Sequence, residues 1–319
     1  MNGNKYSFGR VGRLLLLAMF GVVLVFGSSA QANAQALGWE GETGVFVTPL
    51  AYTASAEGQK FHPVVAYHYF NAGSVIGDFH EASIEMGVGK RFEFGYTREF
   101  HNFGGNAELS PLWQDGFDIF NAKYIVIREN SFNSKWVPAI SAGIIARTGV
   151  RNVGDYVKWV NDAKNSNGSH NEDFYAVATK FVPTPHAGPL AAVILNAGIR
   201  ETNAELWGMG GNAPDWTARG FGALGFAFKG PDKSTIVFAA EASQQPHHPL
   251  GFSNASKEET VLNIPTSLTY CARVIPSAKH KLNFDIGIAQ VAGEVYGSGP
   301  TGINLKARHQ FGAQVSYGF

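Results

Sequence analysis

Twelve stretches of this chain alternate between apolar and small or polar residues with a period of two. At that spacing, successive side chains of an extended strand leave on opposite faces. In the last stretch Phe311, Ala313, Val315, Tyr317 and Phe319 share one face, and Gly312, Gln314, Ser316 and Gly318 share the other. Earlier runs group Val65, Tyr67 and Tyr69, then Ile84, Met86 and Val88, then Phe92, Phe94 and Tyr96, and so on to Leu282, Phe284, Ile286 and Ile288. In the sixth run the same rule sets Tyr175, Val177, Thr179 and Phe181 against Ala176, Ala178 and Lys180. Ile119, Ile125 and Ile127 break the pattern of the fourth run. The tenth, 262–274, contains Pro265, which a sheet tolerates at a bulge.

The connections alternate in length. Those at 89–91, 130–134, 184–189, 230–233 and 276–281 are short; those at 102–115, 148–172, 203–216, 244–258 and 293–307 are long. A secreted sandwich has no reason to keep such an alternation, whereas an outer-membrane barrel has short periplasmic turns and long external loops. The expected fold is therefore all-β: a closed antiparallel transmembrane β-barrel of about twelve strands over 64–319. Closure has a physical cause. In hydrocarbon every backbone N–H and C=O needs a partner within the protein, so an open sheet edge cannot persist there.

Ahead of the runs, Lys5, Arg10 and Arg13 flank an apolar stretch, 14–26, followed by small residues and Ala34-Gln35-Ala36. This is the layout of a signal peptide, here 1–36, removed after Ala36. The apolar stretch is shorter than the roughly 20 residues that a spanning helix needs. Residues 37–63 then form a periplasmic segment or a plug in the lumen. Pro49 would cost a sheet donor there. Charged residues make up 16% of the chain and aromatics 13%, with a mean hydropathy of −0.06, which suits strands whose two faces differ. The 25 Lys and Arg balance the 25 Asp and Glu, so there is no basic excess for nucleic acid. The single cysteine, Cys271, rules out a disulfide within the chain and reads as a small apolar filler. No cysteine stands at the cleavage site to carry a lipid anchor.

Eight charged residues fall opposite the apolar face: Glu85, Glu93, Lys123, Lys180, Arg200, Arg219, Glu241 and Asp285. A Lys or Arg facing lipid at mid-depth costs roughly 2–4 kcal/mol. All eight are therefore expected to line the lumen, either around a water-filled pore or as paired groups filling a narrow barrel. No metal is expected. His247 and His248 are adjacent and would point apart, with no further ligand at zinc spacing; His62, His68, His80 and His101 fall near strand ends. No Gly-x-Ser-x-Gly or His-Glu-x-x-His motif occurs, so no catalytic residue and no cofactor are assigned. Gly208-Met209-Gly210-Gly211-Asn212 lacks the lysine and helix of a phosphate loop. Trp113, Trp136, Trp159, Trp207 and Trp216 read as an interfacial girdle. The loop 152–171, with Asp155, Lys158 and Asp162, is the longest and most polar.

With its signal, its twelve runs and the terminal Tyr317-Gly318-Phe319, the chain resembles a Gram-negative outer-membrane β-barrel across 64–319. More narrowly, Asp173-Phe174-Tyr175-Ala176-Val177-Ala178-Thr179-Lys180, Leu206-Trp207-Gly208 and Leu250-Gly251-Phe252 are similar to an uncharacterised family of outer-membrane proteins. The resemblance implies contact with outer-membrane lipid and lipopolysaccharide. It also implies handling by periplasmic chaperones and the barrel-assembly machinery through the C-terminal strand. Twelve-stranded barrels include channels for nucleosides and acidic sugars and one phospholipase. The mixed inward charges here do not match the basic lumen of an acidic-sugar channel. The expected function is passive passage of an unidentified small solute. A structural or adhesive barrel acting through its external loops, and a lipid-acting enzyme, are the alternatives.

Overall fold

The computed structural model describes residues 36–54, 61–105, 110–151, 169–184, 187–246, 248–253, 258–263, 266–276, 281–291, 294–296 and 309–319. Residues 1–35, which hold nearly all of the expected signal peptide, lie outside them, as do Pro265, Trp159 and most of the 152–171 loop. Among the described residues there are fifteen strands: β1 (Phe61–Asn71), β2 (Gly77–Val88), β3 (Phe92–Phe103), β4 (Asp118–Ile127), β5 (Ala139–Thr148), β6 (His170–Pro183), β7 (Leu190–Glu205), β8 (Gly211–Lys229), β9 (Thr235–Gln244), β10 (His248–Ser253), β11 (Glu258–Asn263), β12 (Thr266–Ile275), β13 (Leu282–Val291), β14 (Glu294–Tyr296) and β15 (Gln310–Gly318).

Twelve of these close into a barrel of antiparallel neighbours, while β10, β11 and β14 form a separate three-stranded sheet within the long connections. The ring seals where β15 enters between β1 and β13, with Val64 opposite Gly318, Phe70 opposite Gly312 and Phe284 opposite Val315. No described helix is long and apolar enough to cross a membrane; the strands carry the apolar surface instead. Ile84, Phe238 and Ile286 are 49%, 53% and 57% exposed, although all three are large hydrophobes on regular strands. Their alternates, Glu85, Val237 and Asp285, turn inward.

Several expectations need correction. The sixth run has the opposite phase: Tyr175, Val177 and Thr179 are buried inside, and Phe174 is outside at 53% exposure. Both faces of β6 are comparably apolar, so alternation alone could not choose between them. Tyr175 lies inward because it covers Gly143 on β5, where any Cβ would overlap its ring. The tenth run divides into β11 and β12. The expected loop 203–216 is mostly strand, since β7 and β8 continue past a register shift to a connection of only 206–210. The first connection, 72–76, is also short, so the alternation of loop lengths is not strict. Trp113 and Trp207 are no part of a girdle. Both are buried, and Trp113 packs on Phe79 with centroids 5.7 Å apart and donates from Nε1 to the Met209 carbonyl at 2.8 Å. Trp136 and Trp216 are exposed, Trp216 stacking on Phe174.

The largest departure from an empty cylinder is the segment 36–54, nearly all of it buried within the ring. It folds through two tight turns, bridged at Leu37–Thr43 and Gly44–Pro49. Gly41 adopts φ +90° against the Thr97 hydroxyl, and a side chain there would meet both strain and collision. The small inner face of the closing strand now has a physical reason. The Phe46 ring sits over Gly287 and Gly312, and a Cβ on Gly312 would lie 2.7 Å from its Cζ.

Candidate functional site

The inward polar side chains converge on this inner segment. Glu93 on β3 accepts the Thr43 N–H at 3.0 Å, the Thr43 hydroxyl at 2.7 Å and the Ala54 N–H at 2.6 Å. Lys123, directly across on β4, pairs with Glu93 at 2.7 Å and donates to the Thr43 carbonyl at 2.8 Å. On the opposite wall Glu241 of β9 faces a turn whose Val45 N–H bonds the Thr48 carbonyl at 2.9 Å. Its carboxylate accepts three consecutive backbone N–H groups, from Phe46 at 3.2 Å, Val47 at 3.1 Å and Thr48 at 2.8 Å, plus the Thr48 hydroxyl at 2.7 Å. Successive N–H groups in a concave turn form an anion nest, and here the anion comes from the barrel wall.

Asp285 is held by Arg273 at 2.8 Å, and the same guanidinium donates to the carbonyls of Gly44 and Val45. Asn196 and Ser141 donate to the carbonyls of Pro49 and Ala51, while Thr179 accepts the Ala51 N–H. Wall side chains thus satisfy the segment's backbone as a neighbouring strand would. Near the long-connection end, Arg147 is fully buried between Glu40 of the segment and Asp173 of β6. Its Nε donates to Glu40 at 2.6 Å and its Nη2 to Asp173 at 2.8 Å. Removing one member of such a buried set typically costs about 3–5 kcal/mol, because the remaining charges lose their partner.

The structure places Glu85, Glu93, Lys123, Arg200, Arg219, Glu241 and Asp285 on the inner face. Arg200 pairs with Asp173 at 3.3 Å, and Arg219 donates to the Gln245 carbonyl at 2.8 Å. Glu85 is buried over Gly95. Lys180 is the correction. With β6 inverted it stands on the outer face opposite Leu195, close to the short-connection end, paired with Glu129 at 3.0 Å and with Asn130 at 2.7 Å. A lysine at that height can carry its ammonium to the rim.

Sequence reasoning missed Arg147, Arg273, Glu81 and Glu99. Glu81 and Glu99 stand two residues past the inward positions used in their runs, Arg147 directly follows the fifth run, and Arg273 lies inside the tenth, so carrying the alternation through each run would have found all four. Glu40 and Glu42 carried no such signal. Glu42 is fully buried on the segment, and burial, reinforced by nearby Glu40 and opposed by Lys123, pushes its carboxyl up to about 8. Among the described residues, no group of His, Cys, Asp and Glu is placed to hold a metal.

No family model and no curated protein matches this chain, so the narrower resemblance to an uncharacterised outer-membrane family finds no support. Among the solved structures that resemble it is an outer membrane channel from Pseudomonas putida F1, with 12% identity and a TM-score of 0.43 over 86% of this chain and 100% of that one. The NanC porin follows, with 9% identity and a TM-score of 0.38 over 81% of this chain and 98% of that one. OmpT, an outer membrane protein of Vibrio cholerae, shows 10% identity and a TM-score of 0.29 over 81% of this chain and 96% of that one. At these identities and scores they say nothing of what this barrel carries.

Proposed function

We propose that this chain is an outer-membrane barrel that passes small solutes, and that its own segment 36–54 is the plug. The belt of exposed Ile84, Phe94, Phe120, Phe238 and Ile286 would face outer-membrane lipid and lipopolysaccharide, the environment in which such a surface is stable. The signal-like N-terminus supports export. The observation that carries the reading is the buried segment, bonded to Glu93, Lys123, Glu241 and Arg273 on two sides of the ring. A barrel filled only for rigidity could use bulky inward side chains. Here Gly287 and Gly312 leave space, and a separate piece of chain enters it through polar contacts that can exchange for water. Passage then requires the segment to withdraw, and the charges it releases become the lumen wall.

Planar-bilayer recording of the intact protein and of a variant lacking 37–53 tests this. Rare, brief openings in the intact protein and frequent stepwise currents in the deletion are expected. A folded deletion variant that stays silent would favour the second reading, a structural or adhesive barrel, for which the separate β10–β11–β14 sheet is the relevant observation.

A further inference from the structure

Beneath the inner segment, at the short-connection end, the lumen holds a cavity of about 570 Å³. Val45 and Leu50 of the segment contribute to its lining, and Ile194, Val237 and Ile275 bring apolar surface from β7, β9 and β12. A space of this size with a largely apolar lining suits a small organic ligand. Its charges decide which kind. Among the described residues of its lining, four are charged: Glu129, Lys233, Arg273 and Lys281. Glu129 is neutralised by Lys180 at 3.0 Å and also accepts the Tyr52 hydroxyl at 3.0 Å. Arg273 is committed to Asp285 and to two backbone carbonyls of the segment. Glu241, on the wall above, is taken up by the nest of Phe46, Val47 and Thr48. Lys233, in the β8–β9 turn, and Lys281, just before β13, have no acid partner among the described residues. Both belong to short connections, which puts them at the mouth.

We propose that this cavity is a binding site for a small amphipathic monoanion, with an apolar body against Leu50, Ile194 and Val237 and a carboxylate or similar group at Lys233 and Lys281. The two paired charges cancel and the two lysines remain, so the site discriminates by sign. A neutral molecule of the same shape gains only the apolar contact, and a cation meets two like charges. Because the segment forms part of the lining, the ligand binds the plugged barrel, and occupancy does not depend on conduction. A barrel that never opens would still bind.

The test uses the full-length folded protein in detergent and calorimetric titration with phenylacetate, 2-phenylethanol and 2-phenylethylammonium as probes of equal body and different charge. Phenylacetate is expected to bind most tightly, the alcohol more weakly and the ammonium not measurably. K233E/K281E should weaken phenylacetate by about tenfold or more, the scale of two screened charges a few ångströms from an anion. Ile194→Trp, which fills the apolar part, should abolish binding of both phenylacetate and the alcohol. Unchanged gel migration with and without heating shows that each variant remains a folded barrel. The proposal is overturned if the ammonium binds as well as the carboxylate, if K233E/K281E leaves the affinity unchanged, or if no phenylacetate heat is seen at millimolar concentration.

Discussion

Replacing Glu241 by Gln removes the most concentrated attachment of the inner segment while leaving the barrel wall paired. The carboxylate serves four donors: the N–H groups of Phe46, Val47 and Thr48 and the Thr48 hydroxyl. Its two oxygens offer about four acceptor sites, whereas an amide offers one oxygen with two and turns its own N–H₂ toward the remaining donors. At least two buried donors are then orphaned, each at about 1–3 kcal/mol. A neutral amide is cheaper to bury than a carboxylate, which offsets part of this. A net loss of about 2 kcal/mol lowers the docked-to-released ratio about thirtyfold. The ladder around residue 241, opposite Thr269 and Ala223, is a backbone matter and survives. Open probability in planar bilayers should therefore rise about thirtyfold, with unchanged heat-modifiable gel migration, and Glu241→Asp should fall in between. An E241Q barrel that is folded yet opens no more often than the parent would refute the idea that this nest holds the segment in place.

Arg147→Ala should destabilise the folded protein by about 3–5 kcal/mol, seen as a lower denaturant midpoint in detergent, because Glu40 and Asp173 stay buried without its guanidinium. A loss well under 1 kcal/mol would contradict the pairing described. Ile286→Arg on the outer belt should cost about 2–4 kcal/mol in lipid vesicles, and Phe61→Arg, at a strand end, about 0–1; equal costs would argue against a bilayer around the ring. The acidity of Glu42 predicts a pH dependence. Its carboxyl sits at about 8 when docked and takes its ordinary value of 4.5 when released. The docked form binds the proton more tightly, so docking is strongest below pH 4.5, weakens as pH rises to about 8, and is level above that. Open probability should climb over that window, and Glu42→Gln should flatten its share of the rise.

The wall was legible because an apolar outer face and a polar inner face impose a period of two on every wall strand, and Ile84, Phe94, Phe284 and Ile286 stand where that rule puts them. It failed where both faces are apolar. Phe174, Ala176 and Ala178 are as hydrophobic as Tyr175 and Val177, and only the glycine beneath Tyr175 settles the phase, which took Lys180 to the outside. The inner segment was harder to read. Gly38, Gly41, Gly44 and Pro49 announce turns but not their surroundings, and the partners of its backbone lie on strands far along the chain, from Glu93 at one extreme to Gln314 at the other. A segment whose hydrogen bonds end on side chains of other elements leaves no periodicity of its own. Inward charges could be recognised singly, as Glu241 and Asp285 were. Their pairing with backbone groups of 43–48 is a property of the assembled ring.

Hydrogen exchange at the amides of Phe46, Val47 and Thr48, in protein reconstituted into lipid vesicles, reports most directly on whether the chain closes its own lumen. Docked against Glu241, these amides should exchange as slowly as those of the wall strands β8 and β9. Exchange at the rate of an unstructured peptide, with the wall still protected, would mean that the lumen is not held shut by this segment.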